Sequence, residues 1–329
     1  MTDLVDLPPE DALALAVAAC LGAGAHPRMA HSLAQATLAA ELRGKAVVGF
    51  AHLPDYLDAL TNGRIDGAAE PEIGSPAPAL IACDVQGGVA QLGFDDVCGE
   101  LQTRARAYGI ALLALSNCFT TGELGGYVRR LADGGLVALA ATNGPALMQP
   151  PGASGPVYCT NPIAFAAPGR DGAAVVIDQS SSHAAYVSLR GAAASGTAIP
   201  SGWAVDAHGR PTTDAAAALS GALLTFGGAR GANIALMVEI LAGGLSGANW
   251  SLDAPSFTTG GRSPGAGLTV VAIAPALLAP DFAARLEAQL QRLGGMGVHI
   301  PGAAARSGGT DVRLSPALVA TLRRYAGAF

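Results

Sequence analysis

Between residues 159 and 250, short clusters of Gly, Pro, Thr and Asp cut the apolar runs of this chain at regular points. The series reads Cys159-Thr160-Asn161-Pro162, then Asp178-Gln179-Ser180-Ser181, then Gly209-Arg210-Pro211-Thr212-Thr213-Asp214. It closes with Phe226-Gly227-Gly228-Ala229-Arg230-Gly231, which opens an apolar helix. Each cluster is a turn, because these residues either tolerate unusual backbone angles or bond their own main chain. Between and around the turns, runs with strand character (79–83, 110–115, 136–141, 163–166, 174–177, 268–273) alternate with helical spacing. Helices are expected over 89–108, 124–132, 187–194, 215–223, 229–245, 282–293 and 316–325. The opening is all helical: one helix to about Leu21, a second over 28–42 stopped by Gly44, and a short third over 53–60. Alternation of strand and helix places the fold in the α/β class.

Composition removes several functions. Half of the 329 residues are hydrophobic and only 13% are charged, so a large core and a buried subunit interface are both within reach. A net charge of −6 without a basic stripe argues against nucleic acid. Five cysteines occur with no C-x-x-C pair, and six histidines show no zinc-ligand spacing, so no metal site is expected. An odd cysteine count fits a reducing cytoplasm, and the acidic, Pro-bearing start is unlike a signal peptide. No apolar run reaches the roughly 18 residues of a membrane span. Lys45 is the only lysine and lies in a polar segment, which disfavours pyridoxal-phosphate or Schiff-base chemistry.

The turns differ in what they offer a ligand. Gly227, Gly228, Arg230 and Gly231 combine close backbone approach, a helix start and a positive charge, the parts of a phosphate site; a tight turn with a surface arginine is the plain alternative. Thr160 and Asn161 precede Pro162, which predicts extended geometry for Asn161 and polar groups at a strand entrance. Asp178, Gln179, Ser180 and Ser181 follow a strand, where α/β ligand sites lie, and equally suit an N-cap. Asn143 ends another strand. There is no G-x-G-x-x-G after a strand, no Walker A motif and no G-x-S-x-G elbow.

In order and spacing, the four clusters resemble the malate/L-lactate dehydrogenase-like family of NAD(P)-dependent oxidoreductases, over about Asp11 to Gly302. That resemblance implies a non-Rossmann NAD(P)-binding fold whose helical N- and C-terminal segments pack together. It implies a helical unit of residues 1–75 and 280–329 and a cofactor- and substrate-binding region of residues 76–279. It also implies a homodimer, NADPH or NADH as cofactor, and a small 2-oxo acid or cyclic ketimine as substrate. Asn143, Thr160, Asn161, Pro162, Asp178, Gln179, Ser180, Ser181, Gly227, Gly228, Arg230 and Gly231 would then meet the cofactor. Arg43, Arg190 or Arg306 could meet a 2′-phosphate.

The chain departs from the family where chemistry would occur. The family reads Arg-Gly-x-x-Ser-His-Gly-x-x-Arg-Leu-Pro-x-Tyr; here the Ser-His pair falls on Val47 and Val48, and the arginine on His52. A second family histidine falls on Cys118, and an acidic residue of ketimine-reducing relatives on Ser188. Valine cannot donate a proton, and a neutral histidine cannot pair bidentately with a carboxylate. His52 could become the acid, though it could equally be a surface residue; a bound water or the substrate's own iminium proton could remove the need for one; Cys118 and His183 are weaker candidates that suit structural roles better. Val48, His52 and Thr160 are the expected substrate contacts. The expected activity is hydride transfer to a small C=N or C=O compound, with a 2-oxo acid dehydrogenase and a non-catalytic cofactor binder as alternatives.

Overall fold

A computed structural model of the chain describes residues 4–302 and 311–327. Strand β1 (Val5–Leu7) leads into helices α1 (Pro9–Gly22), α2 (Pro27–Leu42) and α3 (Leu53–Thr61). Each helix has Pro in its first turn, where the absent N–H breaks no helical bond. Next come β2 (Glu72–Ala77), β3 (Leu80–Asp84), α4 (Ala90–Tyr108), β4 (Ile110–Cys118), α5 (Leu124–Asp133) and β5 (Val137–Thr142). Then follow β6 (Met148–Gln149), β7 (Ile163–Gly169), β8 (Gly172–Gln179), α6 (Tyr186–Ser195), β9 (Ala204–Val205) and β10 (Pro211–Thr212). The described chain continues with α7 (Ala215–Leu219), β11 (Ala222–Leu224), α8 (Ala229–Glu239), β12 (Ala266–Ile273), α9 (Phe282–Gly295), β13 (Val312–Leu314) and α10 (Pro316–Tyr325).

Seven strands form the main sheet in the order β2-β3-β4-β12-β5-β7-β8. Only β3 and β4 are parallel neighbours, so most of the sheet is antiparallel despite the alternating elements. Helices α4 and α5 bury one face over a core that includes Phe94, Leu101, Leu113, Val128 and Val270. The end of α8 covers the other face, and β12, clamped between the two layers, is buried at its first five residues. That double burial explains its run of apolar residues without alternation. The expected helix over 229–245 is interrupted: α8 ends at Glu239 and passes into a π-helical turn, Ile240–Gly244, lying on β12. The Thr269 hydroxyl donates to the Leu241 carbonyl across that contact at 2.6 Å.

A second core joins α1, α2 and α3 to β13 and α10. Its ends are tied by β1, which pairs antiparallel with β13, Val5 facing Leu314. The N- and C-terminal segments therefore pack together as expected. Helix α9 does not join them. It lies against β7, where the Glu287 carboxylate accepts the Arg170 N–H at 2.8 Å, and Pro301 accepts the Val176 N–H at 3.0 Å. The α/β region thus runs on past residue 279 to Gly302. A small sheet, β10-β9-β11-β6, packs with α6 and α7 over a third core; its two- and three-residue strands carry no periodicity, and part of it falls in the helix expected over 215–223. Among the described residues, no helix is long and apolar enough to cross a membrane.

Gly267 shows how closely the π-helical turn approaches the sheet. A methyl group there would collide with the Ala242 carbonyl oxygen and the Ser246 hydroxyl. Overpacking of this kind costs about 1–3 kcal/mol. Gly267→Ala should lower the thermal unfolding midpoint by several degrees in calorimetry. An unchanged midpoint would show that the turn does not press on β12 in solution.

Candidate active site

Strands β4, β5 and β8 run in one direction, because each pair is separated by an even number of antiparallel steps. Their C-terminal ends and the start of β7 therefore share one edge of the sheet. That geometry gathers residues distant in sequence: Phe119 to Glu123 after β4, Thr160 and Pro162 before β7, and Asp178 to Ser182 at the end of β8. The loop between α2 and α3 closes over this edge and brings Lys45, Val47, Val48 and His52, and the first turn of α3 brings Asp55. A cavity of about 720 Å³ lies between them, with α6, Phe226 and Phe257 on its remaining sides.

His52 caps α3, and Asp55 sits in that helix's first turn, three residues on and on the same face. The His52 ring bonds the Asp55 carboxylate through Nδ1 at 2.8 Å, which leaves Nε2 with no partner among the described residues. Asp55 also takes a two-pronged bond from Arg190 of α6, at 2.9 and 3.1 Å. Burial would raise the Asp55 carboxyl, but the His52 and Arg190 hydrogen bonds outweigh it and hold it well below the usual carboxylate range. Its contribution to stability is therefore complete above about pH 4, near its unfolded value, and is lost only as pH falls through the depressed folded value. The edge of Tyr56 packs on the His52 ring at 5.0 Å between centroids. The Tyr56 hydroxyl is fixed in turn by Thr120 at 2.6 Å and Gln91 at 3.2 Å. The imidazole is thus oriented from two sides.

Of the residues singled out in sequence, Val48, His52, Thr160, Pro162, Asp178, Gln179, Ser180 and His183 line the cavity. Cys118 does not: it is fully buried in the core beneath the sheet, and burial pushes its thiol far up, so it is no proton donor to this cavity. Asn143, Asn161 and Ser181 are also absent from the wall. Asn161 is not extended as Pro162 suggested; its φ is +39°, because its side chain is drawn into the protein. There its amide donates to Ala235 O at 2.9 Å and to the Glu239 carboxylate at 2.8 Å. The Ser181 hydroxyl bonds the Asn161 carbonyl at 2.8 Å. Gly227, Gly228, Arg230 and Gly231 border the cavity only through the adjacent Phe226. Gly227 and Gly228 have φ of 56° and 61°, and several N–H groups of this turn bond within it. Arg230 is exposed, and its side chain makes no hydrogen bond or ion pair among the described residues. Arg43 is clamped on Glu123 and Arg190 on Asp55, while Arg306 lies outside the described residues.

Sequence reading missed Asp55, the pairing role of Arg190, and the segment Phe119–Glu123. The i, i+3 spacing of His52 and Asp55 was the one available signal. Chemically, the sheet edge suits a nicotinamide ring. Hydroxyls of Thr120, Thr160, Ser180 and Ser182 alternate with apolar surface from Leu124, Pro162 and Phe226, a donor and acceptor set without fixed charge. Gly122 has a φ of +66°, and a Cβ there would press on Gln91 and the Tyr56 hydroxyl at 3.1 and 3.4 Å, so a glycine keeps this floor open.

Behind the edge sits Glu239, 5% exposed and in no ion pair among the described residues. Its carboxylate accepts from Asn161 at 2.8 Å, from the Ser251 N–H and hydroxyl at 2.6 and 2.7 Å, and from Asn143 at 3.3 Å. All four groups donate, so an amide at this position would face a donor with a donor. A buried donor left unmatched costs about 1–3 kcal/mol. Glu239→Gln is expected to lower the unfolding midpoint and to raise the KM for cofactor, as the Thr160–Pro162 segment loosens. Retention of both values would reduce the cluster to a bystander.

Comparison with known proteins agrees with this geometry. The profile of the malate/L-lactate dehydrogenase family matches residues 7–308. The chain is 37% identical to (2R)-3-sulfolactate dehydrogenase (NADP(+)) of Chromohalobacter salexigens, over 96% of each chain. It is 38% identical to the Δ1-pyrroline-2-carboxylate/Δ1-piperideine-2-carboxylate reductase of Pseudomonas aeruginosa, over 82% of each. The crystal structure of Δ1-piperideine-2-carboxylate reductase from Pseudomonas syringae pv. tomato superposes with a TM-score of 0.92 and 32% identity, covering 98% of this chain and 99% of that one. On these grounds the chain belongs to the malate/L-lactate dehydrogenase family.

Proposed function

We propose that this chain is an NAD(P)H-dependent reductase of small C=N compounds in which His52 supplies the proton. The enzyme class and the nicotinamide cofactor follow from the family and from its relatives, among them sulfolactate dehydrogenase and the cyclic imine reductases. The observation that carries the proton assignment is the Arg190–Asp55–His52 chain, in which His52 is part of the cavity wall and its Nε2 has no hydrogen-bond partner among the described residues. Bound nicotinamide supplies the hydride. The protein's own work is the rest: Thr160, Ser180 and Ser182 present polar groups to the ring, Asp55 steadies the imidazolium, and Val47, Val48 and Phe226 exclude water. A neutral imine nitrogen would take the His52 proton as its carbon accepts hydride, giving an amine and neutral imidazole. His183 lines the cavity but is exposed, and its ring has no hydrogen-bond partner among the described residues. Reduction of a 2-oxo acid is the second reading, favoured by the likeness to sulfolactate dehydrogenase.

His52→Ala should cut turnover at least tenfold, within the 10²–10⁴-fold range typical of a positioned acid. NADPH affinity, read by fluorescence titration, should be unchanged. A drop of less than tenfold removes His52 from proton transfer.

We also propose a homodimer built on α8 and the segment after it. Leu236, Met237, Ile240, Leu245, Trp250 and Leu252 are all exposed there, Leu252 at 68%. An apolar patch of this kind marks a protein interface. Sedimentation should give twice the 32.5 kDa chain mass, and Leu236→Glu with Ile240→Glu should give the single chain. A monomeric wild type would exclude this interface. All five thiols are free, which supports a reducing, cytoplasmic setting.

A further inference from the structure

We infer that the imine substrate carries a bulky apolar group, best an aromatic ring, that packs on Tyr186 and Phe257. This rests on the reductase reading above and refines it. The cavity holds about 720 Å³. That is well up the range of about 300–1,000 Å³ for pockets that take drug-sized ligands. It is more than a nicotinamide ring and a bare six-membered imine fill. The walls divide by chemistry. Thr160, Ser180 and Ser182 give the polar row assigned above to the nicotinamide ring. Leu147, Tyr186, Val187, Phe226 and Phe257 also line the cavity, and the protein covers each of them only in part. Tyr186 and Phe257 meet edge to face at 6.0 Å between centroids. Each is backed by a different core, Tyr186 by the third and Phe257 by the second.

The position of this pair links it to the substrate. Tyr186 and Arg190 lie four residues apart on one face of α6. Arg190 holds Asp55, and Asp55 holds His52. The aromatic pair therefore stands beside the chain that carries the proton, and a group attached to the imine is presented to it. An apolar group displaces water favourably from partly covered aromatic surface, and a third ring extends the edge-to-face geometry that Tyr186 and Phe257 already show. Charge is accommodated separately. Lys45 lines the same cavity, exposed and in no ion pair among the described residues, so a substrate carboxylate has a cation to meet. The chemistry stays that of the reductase: one hydride passes from the cofactor to the imine carbon, one proton passes from His52 to nitrogen, and an amine forms. The apolar group takes no part in bond making; it sets affinity.

The test uses the intact protein, NADPH, and two six-membered cyclic imine 2-carboxylates. They differ only in a phenyl group on the saturated ring carbon opposite nitrogen, where it leaves the reactivity of the C=N bond unchanged. NADPH binding is measured alongside. The expected result is a kcat/KM at least about tenfold higher for the phenyl compound, chiefly through a lower KM, the scale of burying one ring. In Phe257→Ala and, separately, in Tyr186→Ala, that ratio should fall at least about fivefold with NADPH affinity kept. An equal or greater kcat/KM for the unsubstituted compound in the native protein overturns the inference and leaves the reductase reading standing. An unchanged ratio in both variants overturns the role of the aromatic pair. Weaker NADPH binding with that ratio unchanged does the same, and assigns the pair to the cofactor. Turnover of neither compound, with NADPH bound, overturns this inference together with the imine reading.

Discussion

The buried Glu239 carboxylate is the interaction on which the geometry of this protein most depends. It stands at the junction of α8 and the π-helical turn, and its four donors come from three separate stretches of chain. Asn143 ends β5, Asn161 opens β7, and Ser251 lies in the loop after the turn. A carboxylate without a cation is stable in a protein interior only when such donors saturate it. Helix, sheet edge and loop are therefore locked in register by one side chain. The same lock turns Asn161 inward, with a φ of +39°, and leaves its neighbours Thr160 and Pro162 to face the cavity.

Against this rigid edge, the helical N-terminal unit contributes the ionisable groups. His52, Asp55 and Arg190 come from two elements far apart in sequence, and neither bond to Asp55 is local to the sheet. Both arginines near the cavity are clamped by carboxylates, so positive charge here organises the protein before it meets any ligand. Valines occupy the positions where family members carry a Ser-His pair, and they make that part of the wall apolar. A histidine stands four residues further on instead, at position 52, on the cap of α3.

Much of this was legible in the residues. The helices over 28–42, 124–132 and 316–325 and the central strands follow directly from periodicity, because their burial is one-sided or complete over many residues. The turn clusters at 160–162 and 178–182 come together at the sheet edge that borders the cavity, since strand ends in mixed sheets are where backbone groups and polar side chains emerge. Other features had no local signal. The two- and three-residue strands β6, β9, β10 and β11 are too short for a period. The departure of α9 to β7 rests on Glu287 and the carbonyl of Pro301, single contacts that no pattern announces. Cys118 stands beside cavity residue Phe119 in sequence, yet an irregularity in β4, where Asn117 has a φ of 56° and the pairing with β12 shifts register, turns it into the core.

Sequence by itself determined the α/β class, the family, the nicotinamide chemistry and the loss of the usual acid and arginine, because these depend on residue identity and order. Only the tertiary structure decided which polar residues face the ligand and which hold the protein together. Asn143, Asn161 and Ser181 look from their positions like cofactor contacts, but buried donors must find acceptors, and theirs lie inward. Arg190 looks available for an anion until Asp55, separated by 135 positions, claims both of its terminal nitrogens. Pairing across such distances is set by how helices and sheet pack, and a linear pattern of residues does not contain it.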